Sequence, residues 1–500
     1  MSTPYRQSAK YKLTENYHPY YPKNPNYDYT GNQDFSQNAA VGLYYENLVG
    51  HILINKLVNK VIGKGLTPMS APDVSFLGWT KEQGRKFSSQ AESLYRLLCN
   101  DQTIDWNGKD TILQLQRKAL RMIFISGDVL LHIGYHKRGG VVVPYIQLIN
   151  GRLIANPGAT LDSKNLVGGV YLNDAGKEIG YSILEFGRNL EDTMSYKKVN
   201  KYNTKTGRMD FDLITIDQPE SGMIRGVPLL TVLMDDILQT GKFKEVHLTK
   251  AIIQSLFSVA IEKQETDNPE EIPSFKERIA GSLAADQSQV EAVMEDNQPI
   301  TLGSGQVVDL EPGEKMVPVE TAMQSDDYVA TMEMYLSLIA AGVGLSYEEL
   351  LGKYNSSFSA SKATIKSSEK NYKTLRDEFE RKFLNPIWRS IIEYGVLIGA
   401  IDAPGYFDSE LNRRAMCEVT WAGVTPTQVD PVKEVSSFKE AVQNNFCTAE
   451  YASRSLFGMD YEEVIQRRAE EKAMAEAAGL IPAAGASVNT EKDTEEPEGE

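Results

Sequence analysis

The segment Ile224-Arg225-Gly226-Val227-Pro228-Leu229-Leu230 divides the sequence into two parts with different patterns. Before this segment, short runs of alternating apolar and polar residues between turn residues predict β-strands. After it, apolar residues recur at helical spacing from Pro228 towards Phe257. This spacing predicts a helix of about 30 residues, longer than most helices of globular proteins. The fold therefore changes from sheet to long helix at this segment.

The part before this segment is predicted to be an α+β unit. Helical spacing begins near residue 38 and ends at Gly63-Lys64-Gly65, and further helices are expected at residues 81–98 and 110–125. After Gly127-Asp128 the spacing becomes that of strands. We expect three hairpins that form one antiparallel sheet packed on these helices. The strands are expected at residues 129–136, 141–149, 169–172, 179–184, 198–202 and 209–216.

The part after this segment is predicted to contain a small insertion between two long helices. The insertion begins with a strand at residues 257–262 and a Pro/Glu-rich linker at residues 268–273. A helix at residues 275–294 and strands within residues 299–318 complete it. The second long helix, residues 327–341, follows directly. Two long helices that flank a small α/β segment are an uncommon arrangement, which makes this feature informative about function.

The C-terminal part is predicted to be a loop followed by helices. Glycine, serine and asparagine predict a loop at residues 342–362. A helical region at residues 363–398 follows, broken at Asn385-Pro386 because proline interrupts a helix. Further helices are expected at residues 432–444 and 462–479.

The two ends of the chain are polar. Residues 1–37 contain seven tyrosines in the first thirty positions and have no strand or helix period, which predicts an extended arm. Tyrosine is enriched at interfaces, so the arm either docks on a partner or a neighbouring subunit, or is a free terminus. Residues 481–500 are predicted to be a disordered acidic tail.

The composition is that of a globular protein, with 41% hydrophobic and 24% charged residues in 500 positions. The net charge of −16 argues against a protein that grips DNA tightly, since such proteins neutralise phosphates with lysine and arginine. It is compatible with a protein past which DNA slides. The sequence has no apolar run of about 18 residues for a membrane span and no signal-peptide pattern. Three widely separated cysteines favour a reducing compartment.

The sequence lacks the motifs of common enzymes and metal sites. It has neither a phosphate-binding loop nor a G-x-S-x-G nucleophile motif. His132 and His136 fall in a strand pattern, where they would lie about 13 Å apart, too far to share a zinc ion. Cys99 and Cys417 have apolar surroundings, typical of core thiols. We therefore expect no enzyme, no metal and no cofactor, although scattered carboxylates leave a two-metal nuclease as an alternative.

Several blocks in a fixed order resemble the phage portal proteins of the lambda family, over residues 38–480. The most specific is Ile224-Arg225-Gly226-Val227-Pro228, similar to the family's RGvP motif before a long helix. Asp430-Pro431-Val432-Lys433 is similar to its idP.KE motif. Phe358-Ser-Ala-Ser-Lys362-Ala363 departs from its YSSaRa motif, with phenylalanine for tyrosine and lysine for arginine. The other matching blocks are residues 61–68, 121–128, 147–150, 169–171, 310–314, 339–350, 421 and 458–464.

The resemblance implies a ring-shaped protein, commonly of about twelve subunits, at one capsid vertex. Each subunit would have an α+β wing, long stem helices, a small α/β clip and a helical crown. The implied boundaries are an N-terminal arm (1–37), the wing (38–225), a stem helix (226–261), the clip (262–319), a second stem helix (320–345), a tunnel loop with a kinked helix (346–400), a wing return with the crown (401–480) and the acidic tail (481–500).

The resemblance also implies a function, partners and site residues. The ring would be a late protein of the virion, assembled in the host cytoplasm, through which double-stranded DNA is packaged and ejected. Its partners would be copies of itself, the terminase motor, the major capsid protein or scaffold, the head–tail adaptor and DNA, without a membrane. The residues expected to face DNA are Lys353, Asn355, Ser356, Ser357, Ser359, Lys362 and Lys366. The residues expected to have structural roles in family motifs are Arg225, Gly226, Pro228, Asp430, Pro431 and Lys433.

Two other classes of protein compete with this interpretation. A DNA-processing enzyme, either a nuclease or a packaging ATPase, would need a phosphate loop or a compact cluster of acidic residues and histidines. A minor capsid or adaptor protein would have no channel, and the two long helices around a small insertion favour the portal over it. A separate alternative to the DNA-facing loop is that the lysines near residue 353 belong to a solvated surface loop, since exposed lysine is the norm.

Overall fold

The computed structural model describes residues 33–185, 195–256, 259–263, 314–318, 325–353, 358–423, 431–457 and 461–478. The chain forms two compact units, one of residues 1–238 with 335–500 and the other of residues 239–334. The N-terminal arm before residue 33, the linker and helix expected at residues 268–294, and the acidic tail lie outside the described residues.

The described α-helices agree with most of the helical spacing in the sequence. The helices expected at residues 81–98, 110–125, 327–341, 432–444 and 462–479 are confirmed. The α-helices are α1 (Gln33–Glu46), α2 (Leu48–Val61), α3 (Val74–Leu77), α4 (Lys81–Cys99), α5 (Ile112–Ser126), α6 (Met234–Leu256), α7 (Ser325–Gly342), α8 (Tyr347–Leu351), α9 (Phe358–Phe379), α10 (Asn385–Leu397), α11 (Glu410–Met416), α12 (Pro431–Gln443), α13 (Ala449–Phe457) and α14 (Tyr461–Ala477).

The described strands belong to four small antiparallel sheets. The strands are β1 (Thr67–Ser70), β2 (Asp128–Arg138), β3 (Val141–Asn150), β4 (Leu166–Val167), β5 (Val170–Leu172), β6 (Glu178–Glu185), β7 (Ser195–Asn200), β8 (Phe211–Thr215), β9 (Val259–Lys263), β10 (Glu314–Pro318) and β11 (Val419–Ala422).

The first helices have clear end signals in the sequence. Asn47 separates α1 from α2, and its side chain accepts hydrogen bonds from the backbone N–H groups of Val49 and Gly50. Thr80 begins α4 with a capping box. The prediction that residues 33–37 belong to an extended arm is wrong, because they form the first turn of α1. Gln33, Ser36 and Gln37 are buried there although polar, so hydrophobic spacing could not reveal this turn.

The prediction of one sheet made from three hairpins is wrong. The strands form two sheets, ordered β3-β2-β8 and β4-β5-β6-β7. At the third expected hairpin, Tyr202 and Met209 form only an isolated bridge. The two strands then pair with different partners, β7 with β6 and β8 with β2. The reason is burial, because β8 carries the buried residues Leu213 and Ile214 while β7 is largely exposed.

The helix after Pro228 is shorter than the sequence predicted. Pro228 is extended, with ψ of 134°, and is followed by a single 3-10 turn at Leu229–Thr231. Helix α6 begins at Met234 and has 23 residues. The 3-10 turn does not continue into α6, so the apolar spacing overstated the length of this α-helix.

The unit of residues 239–334 contains most of α6, the antiparallel pair β9–β10 and the first part of α7. Aromatic rings join the two helices within this unit. The ring of Tyr328 lies 5.4 Å from that of Phe243 and 4.2 Å from that of His247, measured between centroids.

The sequence predicted a break in the C-terminal long helix at Asn385-Pro386, but the helical path continues through these residues. A π-helical turn, Glu380–Leu384, joins α9 to α10, and Pro386 lies in the first turn of α10. Proline clashes with the preceding turn of a regular helix, and the wider π-turn at this point lets the helical path continue. Phe383 and Trp388 are fully buried on either side of the junction.

Candidate functional site

Arg225, from the segment that divides the sequence, lies in a buried junction with Asp128. Only 1% of Arg225 and none of Asp128 is exposed. The guanidinium Nε donates to Oδ2 of Asp128 at 2.6 Å, and Nη2 donates to Oδ1 at 3.0 Å. The remaining N–H groups donate to the backbone carbonyl oxygens of Gly151, Ile154 and Gly168. The five donors of arginine are thus used for an ion pair and for three loop carbonyls.

Two glycines allow this junction to close. A Cβ on Gly127 would lie 2.2 Å from the carbonyl oxygen of Gly226, and a Cβ on Gly226 would lie 1.9 Å from that of Gly127. The backbone N–H of Gly226 also donates to Oδ2 of Asp128 at 3.2 Å. Because the two backbones touch, no side chain fits at either position. The GD block before β2 and the RGVP block before α6 therefore meet in space.

The other motif residues with expected structural roles are only partly described. Pro228 is buried and lies before the 3-10 turn that leads to α6. Pro431 is the first residue of α12, and Lys433 is in its first turn. Asp430 lies outside the described residues.

A second polar cluster surrounds the buried carboxylate of Glu349, in the segment predicted to be a loop. Lys60 Nζ donates to Oε1 at 2.8 Å, and Tyr372 Oη donates to Oε2 at 2.9 Å. Ser346 completes a capping box with Glu349. Burial alone would raise the pKa of Glu349, but the hydrogen bonds from Lys60 and Tyr372 outweigh it and hold the pKa below its ordinary value. The cluster therefore contains a stable carboxylate that fastens α8 to α2 and α9.

Arginines strengthen the same contact at the end of α2. Arg376 of α9 donates to the carbonyl oxygen of Val61 at 2.6 Å and to that of Lys60 at 3.2 Å. Arg117 of α5 donates to the carbonyl oxygen of Gly63. Cations at the C-terminal end of a helix complement its free carbonyl groups and its dipole.

The segment expected to face DNA is a short connection between two helices, so the prediction of a continuous loop at residues 342–362 is wrong. Helix α8 occupies Tyr347–Leu351, and Gly352 ends it in the left-handed conformation with φ of 70°. Helix α9 begins at Phe358. The sequence contains a signal for α8, the capping box Ser346-x-x-Glu349, but the glycines and serines around it led to the prediction of a loop.

The structure locates some of the residues expected to face DNA. Lys353 is exposed directly after α8, and Lys366 is exposed in the third turn of α9. Ser359 and Lys362 are helical residues of α9 rather than loop residues. Asn355, Ser356 and Ser357 lie outside the described residues.

Sequence reasoning missed one cation beside this segment. A Cβ on Gly352 would lie 3.9 Å from Nζ of Lys56, so this ammonium group lies next to the end of α8. Lys56 makes no ion pair within the described ranges of the chain. No motif links residues 56 and 352, so only the fold brings Lys56 near Lys353.

The histidines and cysteines do not form a reactive site in the described part of the chain. There, no group of three or more His, Cys, Asp or Glu side chains could hold a metal ion. The ring of His132 stacks on Phe211 at 4.0 Å between centroids. Burial raises the pKa of Cys99, and it raises that of Cys417 to about 11, so both thiols stay protonated at neutral pH. Among the described helices, none has the length and apolar character needed to cross a membrane.

The described polar clusters hold helices and sheets together in a chain that mixes α-helices with antiparallel sheets. A family model described as "Phage portal protein, lambda family" matches residues 22–376, more than half of the chain. The chain therefore belongs to the lambda family of phage portal proteins. This confirms the resemblance drawn from the sequence blocks, and the function of this family is that of a portal.

Two curated relatives have similar sequences over most of their length. Portal protein B of Escherichia phage lambda is 24% identical over 442 residues, which cover 85% of this chain and 81% of the relative. The portal protein of Escherichia phage N15 is 23% identical over 446 residues, covering 85% of this chain and 82% of the relative.

Solved structures of gene transfer agent (GTA) particles show weaker likenesses. A chain from the neck of an empty GTA particle, determined with C6 symmetry, has a TM-score of 0.42 and 14% identity, covering 84% of this chain and 93% of that chain. A chain from the virion of a native GTA particle has a TM-score of 0.41 and 13% identity, covering 92% and 99%. The assignment to the family rests on the sequence matches.

Proposed function

We propose that copies of this chain form a closed ring at one vertex of a phage capsid, through which double-stranded DNA enters and leaves. The ring has about twelve subunits related by rotation. It docks the terminase motor during packaging and the head–tail adaptor afterwards, and it contacts the major capsid protein or scaffold. It assembles in the host cytoplasm and becomes part of the virion. The observation that carries this proposal is the family match over residues 22–376.

The division into compact units supports a specific arrangement of each subunit. Helices α6 and α7 lead into and out of the unit of residues 239–334. We assign them to the stem and residues 262–319 to the clip, which is the surface for the motor and the adaptor. Residues 38–225 form the wing and residues 401–480 the wing return and crown.

The charge distribution supports a channel that DNA passes without being held. The whole chain carries a net charge of −16, which opposes tight binding of a polyanion. Local cations surround the connection between α8 and α9, with Lys353 exposed and Lys56 beside Gly352. We assign this connection to the narrowest part of the channel. Lys353, Lys362 and Lys366, with the small residues Asn355, Ser356, Ser357 and Ser359, make brief contacts with phosphates there.

The assembly is tested by the mass and shape of the purified protein. One chain has a mass of 55.7 kDa, so native mass spectrometry should find a closed oligomer of about twelve times that mass. Negative-stain images should show a ring with a central hole as wide as duplex DNA. A monodisperse monomer at micromolar concentration would overturn the proposal. An oligomer without a hole would favour the minor capsid or adaptor alternative.

The enzyme alternative has a separate test. The sequence contains no phosphate-binding loop, so purified rings should hydrolyse neither ATP nor plasmid DNA in the presence of Mg²⁺. ATP turnover that co-elutes with the ring through several columns would favour a packaging ATPase. DNA cleavage that depends on Mg²⁺ would favour a two-metal nuclease.

The channel assignment is tested by charge reversal. Lys353→Glu with Lys366→Glu should leave ring formation intact, because both side chains are exposed, and should lower the yield of packaged DNA. The matched control is Lys137→Glu with Lys205→Glu, which reverses two exposed charges, one near the end of β2 and one in the turn before β8. Equal packaging by both pairs would remove the support for a channel position of residues 353–366.

A further inference from the structure

Helix α9 carries a row of lysines on one side. Lys366, Lys370 and Lys373 are exposed and are separated by four and three residues, the spacing of side chains on one helix face. Lys362 occupies the helix position one turn earlier. We call Lys366, Lys370 and Lys373 the lysine face.

The opposite side of α9 is fixed in the core. Ile365, Ser368, Tyr372 and Phe379 are each at most 7% exposed. The first three recur at spacings of three and four residues, and Phe379 lies two turns further along the same side. Tyr372 donates to the buried Glu349, which fixes the rotation of the helix about its axis. The lysine face therefore points away from the core and is held in one orientation.

The lysine face forms no close ion pair with the described residues of the subunit. None of its three lysines forms an ion pair with another residue that the structure describes, whereas other exposed cations do, such as Lys86 with Asp402 and Lys382 with Glu378. Glu369 lies among these lysines, and Lys373 also acts electrostatically on Glu380, two turns later. Lys366 and Lys370 are one turn apart, and like charges at this spacing repel each other, which an anionic partner would relieve.

We propose that the lysine face contacts the phosphate backbone of duplex DNA, extending the contacts of the channel beyond Lys353, Lys362 and Lys366. The inference rests on the proposed channel function. The helix rises 1.5 Å per residue, so lysines four residues apart are separated by about 6 Å along the axis. Phosphates on one DNA strand are about 3.4 Å apart along the duplex axis, and the strand winds around that axis. The flexible stems of the lysines allow ammonium groups on one helix face to reach neighbouring phosphates without following the strand.

The type of cation favours DNA over a neighbouring subunit as the partner. Protein–protein interfaces are enriched in arginine and depleted in lysine, because the planar guanidinium makes fixed paired hydrogen bonds. All cations in this row are lysines, which act as point charges on flexible stems. Such groups suit a ligand that slides past them.

The test uses rings of the full chain and a fluorescent duplex of about 30 base pairs, with binding measured by anisotropy at several salt concentrations. The variant Lys370→Gln with Lys373→Gln leaves the residues assigned to the channel connection unchanged. It should weaken binding at low salt about tenfold or more. It should also reduce the slope of log Kd against log salt by about one for each phosphate that is no longer neutralised. The variant Lys370→Arg with Lys373→Arg should keep the affinity and the salt slope of the unaltered ring. The control Lys137→Gln with Lys205→Gln should change neither the affinity nor the slope.

The outcomes separate this inference from the proposal on which it rests. Failure of the unaltered chain to form rings would overturn the channel function itself. Rings that bind no duplex, or a Gln variant with unchanged affinity and salt slope, would overturn only the role of the lysine face. Loss of rings in the Gln variant, with intact rings in the Lys137/Lys205 control, would assign the lysine face to a contact between subunits and would also overturn it.

Discussion

Arg225 and Asp128 are 97 residues apart in sequence, yet they form a buried ion pair with two hydrogen bonds of 2.6 and 3.0 Å. The pair joins the chain at the start of β2 to the chain that leads into α6. It also uses the remaining guanidinium N–H groups to bind the carbonyl oxygens of Gly151, Ile154 and Gly168. One side chain thus organises three loops and the junction between sheet and long helix.

Replacing this arginine should strongly destabilise the protein. Arg225→Ala leaves the carboxylate of Asp128 buried without a counter-charge, which costs about 3–5 kcal/mol in comparable sites. The measurement is the shift of the urea unfolding midpoint followed by circular dichroism. Lys86→Ala is the control, because its ion pair with Asp402 is more than half exposed on both sides and is worth less than about 1 kcal/mol. Equal shifts for the two variants would contradict a structural role of the buried pair.

The contact between Gly127 and Gly226 predicts a difference between two glycine substitutions. Gly127 and Gly140 have nearly the same φ, 87° and 88°, but a Cβ on Gly140 would meet no atom within 4 Å. Gly140→Ala should cost about 1–2 kcal/mol from backbone strain alone. Gly127→Ala should cost about 1–3 kcal/mol more, because its Cβ collides with the Gly226 backbone. Thermal unfolding of both variants measures the difference, and equal melting temperatures would rule out the close contact.

Glu349 should stabilise the protein in a pH-dependent manner. The hydrogen bonds from Lys60 and Tyr372 hold the pKa of Glu349 below its ordinary value of 4.5 in the folded state, although burial acts in the opposite direction. The stabilisation from the carboxylate is therefore fully present above pH 4.5 and is lost as the pH falls through the lower folded pKa. Glu349→Gln should destabilise the protein by about 1–3 kcal/mol at pH 7 and by less below pH 4.5. A penalty that is independent of pH would contradict the role of the charge.

Glu380, in the π-turn, should behave in the opposite way. Burial, with the nearby charge of Asp377, raises the pKa of Glu380 to about 7. The unfolded chain ionises this group near pH 4.5, whereas the folded chain keeps it protonated up to about pH 7. As the pH rises between these values, the free energy of unfolding therefore falls by roughly 1.4 kcal/mol per pH unit.

Glu380→Gln should therefore stabilise the protein at pH 8 and have little effect at pH 4. Urea denaturation should show a penalty for Glu349→Gln that shrinks below about pH 4.5 and a gain for Glu380→Gln that grows between about pH 4.5 and pH 7. A Glu380→Gln variant that is less stable than the unaltered protein at pH 8 would show that the carboxylate is ionised and bound in the folded state.

Much of the fold was readable from hydrophobic spacing because the spacing and the burial agree. Helices α4 and α5 and the hairpin β2–β3 have strong periodicity and clear end signals, and all three were predicted within a few residues. The errors have several physical origins, and one of them is that burial does not follow polarity where polar groups are satisfied by other parts of the chain. The first turn of α1 buries Gln33 and Gln37, and α8 depends on a capping box rather than on apolar residues.

The sequence predicted the separate motifs of the candidate site but not the contacts between them. The sequence identified Arg225, Gly226 and the Gly127-Asp128 block separately, but no local pattern indicates that they touch. The same holds for Lys60, Glu349 and Tyr372, which come from three distant segments and meet only in the folded chain. Long-range pairing of this kind is decided by tertiary packing, which a single sequence does not reveal. Of the lysine face, the sequence analysis identified Lys366 but not Lys370 and Lys373, because which lysines of α9 share an exposed face depends on which side of the helix is buried.

The short strand β1 has a consequence for how the protein is made. It pairs with β11, so that Thr67 lies opposite Ala422 and Pro68 lies opposite Trp421. The indole Nε1 of Trp421 also donates to Oδ1 of Asn385 at 2.9 Å. During translation, which adds about 5–20 residues per second, β1 has no partner until residue 422 has left the ribosome. A chain truncated before residue 419 lacks β11 and leaves β1 unpaired, so this part of the subunit is completed only when most of the chain has been made.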